Sequence, residues 1–120
     1  MSSSIKRCEG VSVTHLNDMT RGWFVGNFKP AAYRVEEIEV AVQHFTAGAF
    51  EPEHIHKVAT EVTLLLSGKA VMAGILMVSG DILTLEPGTK SSFEALEDCT
   101  TVVVKHPGTL NDKYLVNEEC

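Results

Sequence analysis

Short apolar and β-branched runs, parted by turn residues, recur along this chain from Tyr33 to Lys105. Ile38, Val40 and Val42 alternate with Glu37, Glu39 and Ala41, the period-two pattern of a half-buried strand. Val62 to Leu66 is an apolar run closed by the turn pair Ser67-Gly68. Ala70 to Met72 and Leu76 to Val78 flank Ala73-Gly74, which predicts a hairpin. Further strands are expected at Ile82 to Leu85, Ser91 to Ala95 and Thr100 to Lys105, with turns at Ser79-Gly80-Asp81, Glu86-Pro87-Gly88 and Glu97-Asp98. The runs repeat about every ten residues, which predicts an all-β sandwich or barrel. Residues 35–43 lack strict helical spacing and read as strand. The tail Leu110 to Glu119 reads as a helical turn or an added edge strand.

With 120 residues, the chain fits one domain. A hydrophobic share of 44% supplies a core that needs no disulfide staples. No run of about twenty apolar residues predicts a membrane span. The first residues, two basic side chains with no apolar segment behind them, do not read as a signal peptide. The net charge is -6 and the Lys and Arg residues are scattered, so nucleic acid and anionic membranes are poor partners. Cys8, Cys99 and Cys120 are odd in number and far apart, which suggests free thiols in a reducing cytoplasm. A small-molecule ligand is the expected partner.

The chemistry concentrates at His54-Ile55-His56 and Glu61. Residues i and i+2 of a strand share a face, so the two imidazoles project together if the segment is extended. Pro52 just before them disfavours a helix. Glu61 heads the next strand, and if that strand pairs back beside the first, its carboxylate reaches the imidazoles. A buried Glu without a partner is costly, and a metal ion removes that cost. Two His and one carboxylate suit one divalent metal and leave coordination positions open. An HxH pair alone is more often two surface histidines, but the added Glu61, with Gly48 and Gly68 flanking the set, favours a site.

The pattern Gly48-x5-His54-x-His56-x4-Glu61-x6-Gly68 resembles the first motif of the cupin superfamily, with matching spacing throughout. The second cupin motif is degenerate. From Gly80 onward, Glu86 replaces the expected Pro, Ser91 stands where the family has a metal-binding His, and Ala95 where it has an Asn. The resemblance covers about residues 36–106 and implies a jelly-roll barrel, the double-stranded β-helix, frequently a homodimer. On that reading residues 1–120 form a single cupin-like domain with its barrel core at about 33–107. Segments 1–32 and 108–120 are then extensions. The resemblance also implies a metal inside the barrel (Fe, Mn, Zn or Ni) held by His54, His56 and Glu61, with the fourth ligand lost at Ser91.

Other residues carry weaker signals. His44 alternates in phase with Ile38, Val40 and Val42, so it is expected to face inward, as a core or rim histidine or, alternatively, a replacement fourth ligand or proton-transfer residue of the pocket, while Gln43 faces away. Phe93 shares a face with Ser91 and Ala95, filling core or lining a pocket. Met72, Met77, Leu64 and Leu66 are core candidates, and Trp23, Phe24 and Phe28 are expected to cap the core or form a dimer contact. His106 belongs to the rim, Lys57 points outward, and His15 carries no signal. No residue stands out as catalytic.

The sequence therefore reads as a cytoplasmic metal-binding protein and small-molecule metalloenzyme. Its most concrete version is a non-haem iron dioxygenase, since two His and one carboxylate form the facial triad of that class. The alternatives are a non-catalytic metal- or sugar-binding module and a sugar isomerase or epimerase.

Overall fold

The computed structural model describes residues 6–108 and 113–115, with side chains from Glu9 onward. The cysteines Cys8 and Cys120 and the Ser2-Ser3-Ser4 terminus lie outside the described side chains. The elements are β1 (Lys6–Cys8), β2 (Val11–Val13), β3 (Trp23–Val25), β4 (Glu39–Phe45), β5 (Phe50–His56), β6 (Thr60–Ser67), β7 (Lys69–Met72), β8 (Ile75–Val78), β9 (Ile82–Leu85), β10 (Lys90–Ala95), β11 (Cys99–His106) and β12 (Lys113–Leu115). A short 3-10 turn at Leu16–Asp18 follows the β1–β2 hairpin, and the His15 side chain caps it by accepting from the Asn17 amide. The described part of the tail is an edge strand, as one of the two readings of that segment expected.

Two five-stranded antiparallel sheets form the body, ordered β12-β5-β10-β7-β8 and β3-β4-β11-β6-β9. We call them the β5 sheet and the β6 sheet. From β4 onward the chain changes sheet at every described connection except that of the β7–β8 hairpin. That winding is a double-stranded β-helix. It corrects one expectation: β6 does not pair beside β5, and Glu61 faces the histidines from the opposite sheet.

Local chemistry places the crossings. Ser67-Gly68 turns β6 into β7, and Gly68 has φ +92°. A Cβ there would collide with the carbonyl oxygen of Asp98, so only glycine lets the two backbones approach. Ala73 and Gly74 both take positive φ, the primed two-residue turn whose twist matches that of the flanking strands.

The aliphatic core is Leu65, Ala70, Met72, Met77, Leu83, Leu85, Phe93, Ala95 and Cys99. The Cys99 Sγ lies 3.1 Å from the Lys69 carbonyl oxygen and 3.0 Å from that of Glu97, which share its one proton. The phase of β4 and β6 is opposite to the one the apolar pattern suggests. Glu39 and Ala41 are buried while Val40 and Val42 are half-buried. On β6, Thr63 and Leu65 are buried, Leu64 is half-buried and Leu66 is exposed. The cause lies on the outer face of the sheet. There Val40 pairs with Val104, which pairs with Val62; Val42 pairs with Val102, which pairs with Leu64. These branched side chains pack laterally as cross-strand pairs. They carry the alternating apolar signal, while the inner face is given over to polar groups. Leu66 sits at an irregularity where Thr100 pairs with Ser67 and Thr101 with Leu65, an extra residue in β6.

Candidate functional site

Register brings the site together. Three inward rows cross the β6 sheet, which Glu39–Lys105–Glu61 opens at the mouth. Ala41–Val103–Thr63 lies below it, then Gln43–Thr101–Leu65. On the facing sheet, His54 pairs with Ser91, and His56 pairs with Lys113. His54 and His56 are buried, on one face of β5 as their spacing requires.

A bulge in β5 shapes the histidine side. Ser91 pairs with His54 but Phe93 pairs with Glu51, so β5 carries one residue more than β10 over this stretch. Pro52 falls in that stretch, where its missing N–H costs no ladder bond. Two consequences follow. Glu51 comes into phase with His54 and lines the same interior. The Pro52 carbonyl, displaced from the ladder, lies 3.0 Å from His54 Nδ1. A carbonyl only accepts, so Nδ1 carries the proton and Nε2 presents its lone pair to the barrel interior.

The ligand atoms of His54, His56 and Glu61 all lie within 4.8 Å of one another. His56 Nε2 and Glu61 Oε1 are 3.7 Å apart. Two ligands about 2.1 Å from one tetrahedral ion are separated by roughly 3.4 Å, so this spacing is near what a shared ion needs. The His54 and His56 rings stand nearly perpendicular, at 84° with centroids 5.3 Å apart. Glu61 Oε1 is buried and has no hydrogen-bond partner among the described residues. Burial pushes the Glu61 carboxyl above its ordinary value, and Glu51 adds to this; His54, Lys105 and Lys113 act against it. A cation would offset the cost of that buried charge. Two neutral nitrogens and a carboxylate are a suitable donor set for a first-row divalent ion, so the residues present fit one.

The three side chains line an open cavity of about 630 Å³. Trp23 and Phe28 form part of its wall, so these two of the three N-terminal aromatics line a cavity. Lys105 Nζ lies 3.3 Å from Glu39 Oε1 and 5.6 Å from the centroid of the Trp23 ring. Its position between Glu39 and Glu61 keeps a cation beside two buried carboxylates. Lys57 points outward and stacks 4.3 Å from the Tyr114 ring centroid, which pins β12 over β5 on the outside.

Of the residues singled out in the sequence, His54, His56 and Glu61 converge. Ser91 and Phe93 line a smaller pocket behind them, and Phe93 packs on Phe45 with centroids 4.6 Å apart. His44 does not join them. It is exposed on β4, with Nδ1 3.0 Å from Thr100 Oγ1, and lines the open cavity without belonging to the donor cluster. The inward position belongs to Gln43, whose Nε2 donates to the Arg21 carbonyl. His106 is exposed at the end of β11. Sequence reasoning missed Glu39, Gln43, Glu51, Thr63, Thr101 and Lys105. One signal was available for Glu51: a proline inside a strand marks a bulge, and a bulge shifts the phase of what precedes it.

Two antiparallel sheets wound into one barrel, with a His/His/carboxylate cluster inside, define a double-stranded β-helix protein with a possible metal site. No protein-family model matches the chain, and no curated protein matches it. Solved structures do. An uncharacterized conserved protein with a double-stranded β-helix domain from Klebsiella pneumoniae subsp. pneumoniae MGH 78578 is 25% identical, with TM-score 0.61, covering 70% of this chain and 74% of that one. An RmlC-like cupin protein from Desulfovibrio desulfuricans is 22% identical, with TM-score 0.57, covering 63% of this chain and 77% of that one. Oxalate decarboxylase from Bacillus subtilis is 22% identical, with TM-score 0.59, over 68% of this chain but only 24% of the enzyme. The chain shares the double-stranded β-helix fold of these proteins. Among the described residues, no helix is long and apolar enough to cross a membrane.

Proposed function

We propose that this chain is a cupin-type metalloenzyme acting on a compact polar small molecule, with one divalent ion held by His54, His56 and Glu61. The observation that carries the reading is the convergence of those three donors in the lining of a ligand-sized open cavity, with Ser91 where a fourth ligand would stand. Three protein ligands leave positions for a substrate. The ion, when bound, supplies Lewis acidity and, if it is iron, the redox chemistry of facial-triad oxygenases.

The chain's own residues prepare that site. The Pro52 carbonyl holds His54 in one tautomer. Lys105, steadied by Glu39, offers a cation to an anionic substrate group, and Trp23 and Phe28 give it an apolar wall. Glu51, brought into phase with His54 by the bulge, lines the same cavity and is a candidate to take or give a proton; His44 also lines it, from β4. The non-haem iron dioxygenase remains the most concrete version. A non-redox reaction with manganese is the second reading. Its support is the likeness to oxalate decarboxylase, a related structure of which concerns Mn(II) centres. A homodimer is part of the proposal, checked by light scattering.

Protein purified without chelator and assayed by metal analysis and oxygen uptake tests the reading. Bound iron with substrate-dependent oxygen uptake supports the dioxygenase. Bound manganese, zinc or nickel with turnover and no uptake supports the non-redox reading. Metal with no turnover on any small-molecule panel points to a binding module, and no metal under any loading condition sinks the proposal.

A further inference from the structure

Behind His54 and Glu61 the barrel holds a second pocket of about 30 Å³. Three hydroxyl side chains from three strands and both sheets line it: Ser91 on β10, Thr63 on β6 and Thr101 on β11. They are 2%, 3% and 1% exposed, among the most enclosed side chains of the molecule. Thr63 Oγ1 and Thr101 Oγ1 have no hydrogen-bond partner among the described residues. Ser91 Oγ has only a 3.4 Å contact to the carbonyl of its neighbour Ser92, long for an O–H donor.

Apolar side chains would have served packing at least as well at these positions, since a buried hydroxyl left unpaired is destabilising. Three such groups around one small pocket, whose other walls include Phe45, Met72, Phe93 and Val103, are explained if they share a ligand. A pocket of this size takes about one or two water molecules, and a buried water needs two to four polar partners. We propose that the pocket is a built water site, in which one water is held by the hydroxyls of Ser91, Thr63 and Thr101 beside His54 and Glu61. The water stands where the cupin resemblance puts the fourth ligand side chain, and Ser91 has made room for it. Its part in completing the metal shell rests on the metal-binding reading above. Its presence rests only on the hydroxyls and the pocket.

The sign of a stability change decides the matter without metal. Valine keeps the shape of threonine and replaces the hydroxyl with a methyl. If Thr101 serves a water, metal-free Thr101→Val melts lower than the parent, by about 4 °C for a domain of this size. If the pocket is dry, the substitution removes an unpartnered hydroxyl. A melting temperature that is unchanged or raised therefore overturns the proposal. Should Thr101→Val fail to fold, crystals of the parent protein decide: a density peak within hydrogen-bond distance of both threonine hydroxyls supports the site, and its absence overturns it. The metal arm uses Ser91→Ala with Mn²⁺ or Co²⁺ in chelator competition. A loss of affinity of about tenfold or more is expected, and an unchanged affinity overturns the water's part in the shell. If the parent binds no metal at all, the metal reading falls while the melting comparison still decides the water.

Discussion

The interior of this barrel has two halves that follow opposite rules. Around Leu65, Ala70, Met77 and Ala95 it is closed and aliphatic, an ordinary sandwich core. Toward the mouth the inner face carries Glu39, Glu61 and Lys105, then Thr63, Gln43 and Thr101, while the aliphatic ladder of Val40, Val42, Val102 and Val104 moves to the outer face. The same two sheets build both halves, so the difference is one of side-chain assignment and not of backbone. It teaches that a strand can spend its apolar residues on the outside when its inside is a site. Stability then comes from the closed half, which holds the polar half in place.

The contrast predicts separable damage. The largest effect is expected from His54→Ala combined with His56→Ala, which should reduce bound metal to background in elemental analysis while leaving the metal-free protein folded by circular dichroism. Unfolding of the double variant would mean that the histidines belong to the core. Next, Leu65→Ala in the closed half should destabilise by about 2–5 kcal/mol in urea titration, with the metal affinity of the folded fraction unchanged. A comparable loss of both would show that the halves are coupled.

A smaller effect is expected at Glu61. Its folded carboxyl titrates above the ordinary value because it is buried. Between those two values the native state binds more protons than the unfolded state. Metal-free stability should therefore fall as pH rises from about 4.5 through the raised value, then level off. In Glu61→Gln this step should vanish. Metal binding should run the other way, weakening on acidification, because the ion needs the carboxylate. Melting curves across pH for both proteins, with and without metal, read both signs. The smallest effect is expected from His44→Ala, which should leave metal content unchanged and stability within about 0.5 kcal/mol; a loss of metal would return His44 to the site.

The same division sets what the sequence made legible. The strands after Gly48, the Ala73-Gly74 hairpin and the convergence of His54 with His56 follow from short-range rules, alternation, turn chemistry and strand spacing. The phase of β4 did not, because Val40 and Val42 are apolar and Ala41 and Gln43 are weak signals, so periodicity pointed the wrong residues inward. Long-range pairing was out of reach of any local rule: Lys105 meets Glu39 and Glu61 only through register. The resemblance to the first cupin motif grouped Glu61 with the two histidines, but its place on the facing sheet was not legible, since spacing alone assigned it to a neighbouring strand. Ser91 was legible as a departure from the second motif, yet its company of Thr63 and Thr101 was not.

The winding of the chain between sheets also governs the order of events in folding. His56 and Glu61 are five positions apart, yet they sit on facing sheets whose strands find partners far away in sequence, as Glu39 does with Lys105. Such non-local pairing makes for slow folding. The donor set therefore does not exist in an early hairpin and forms only when the two sheets close on each other. On the proposed reading an ion captured there would join the sheets from inside the barrel, and the rate of metal uptake during refolding would then be a clock for closure.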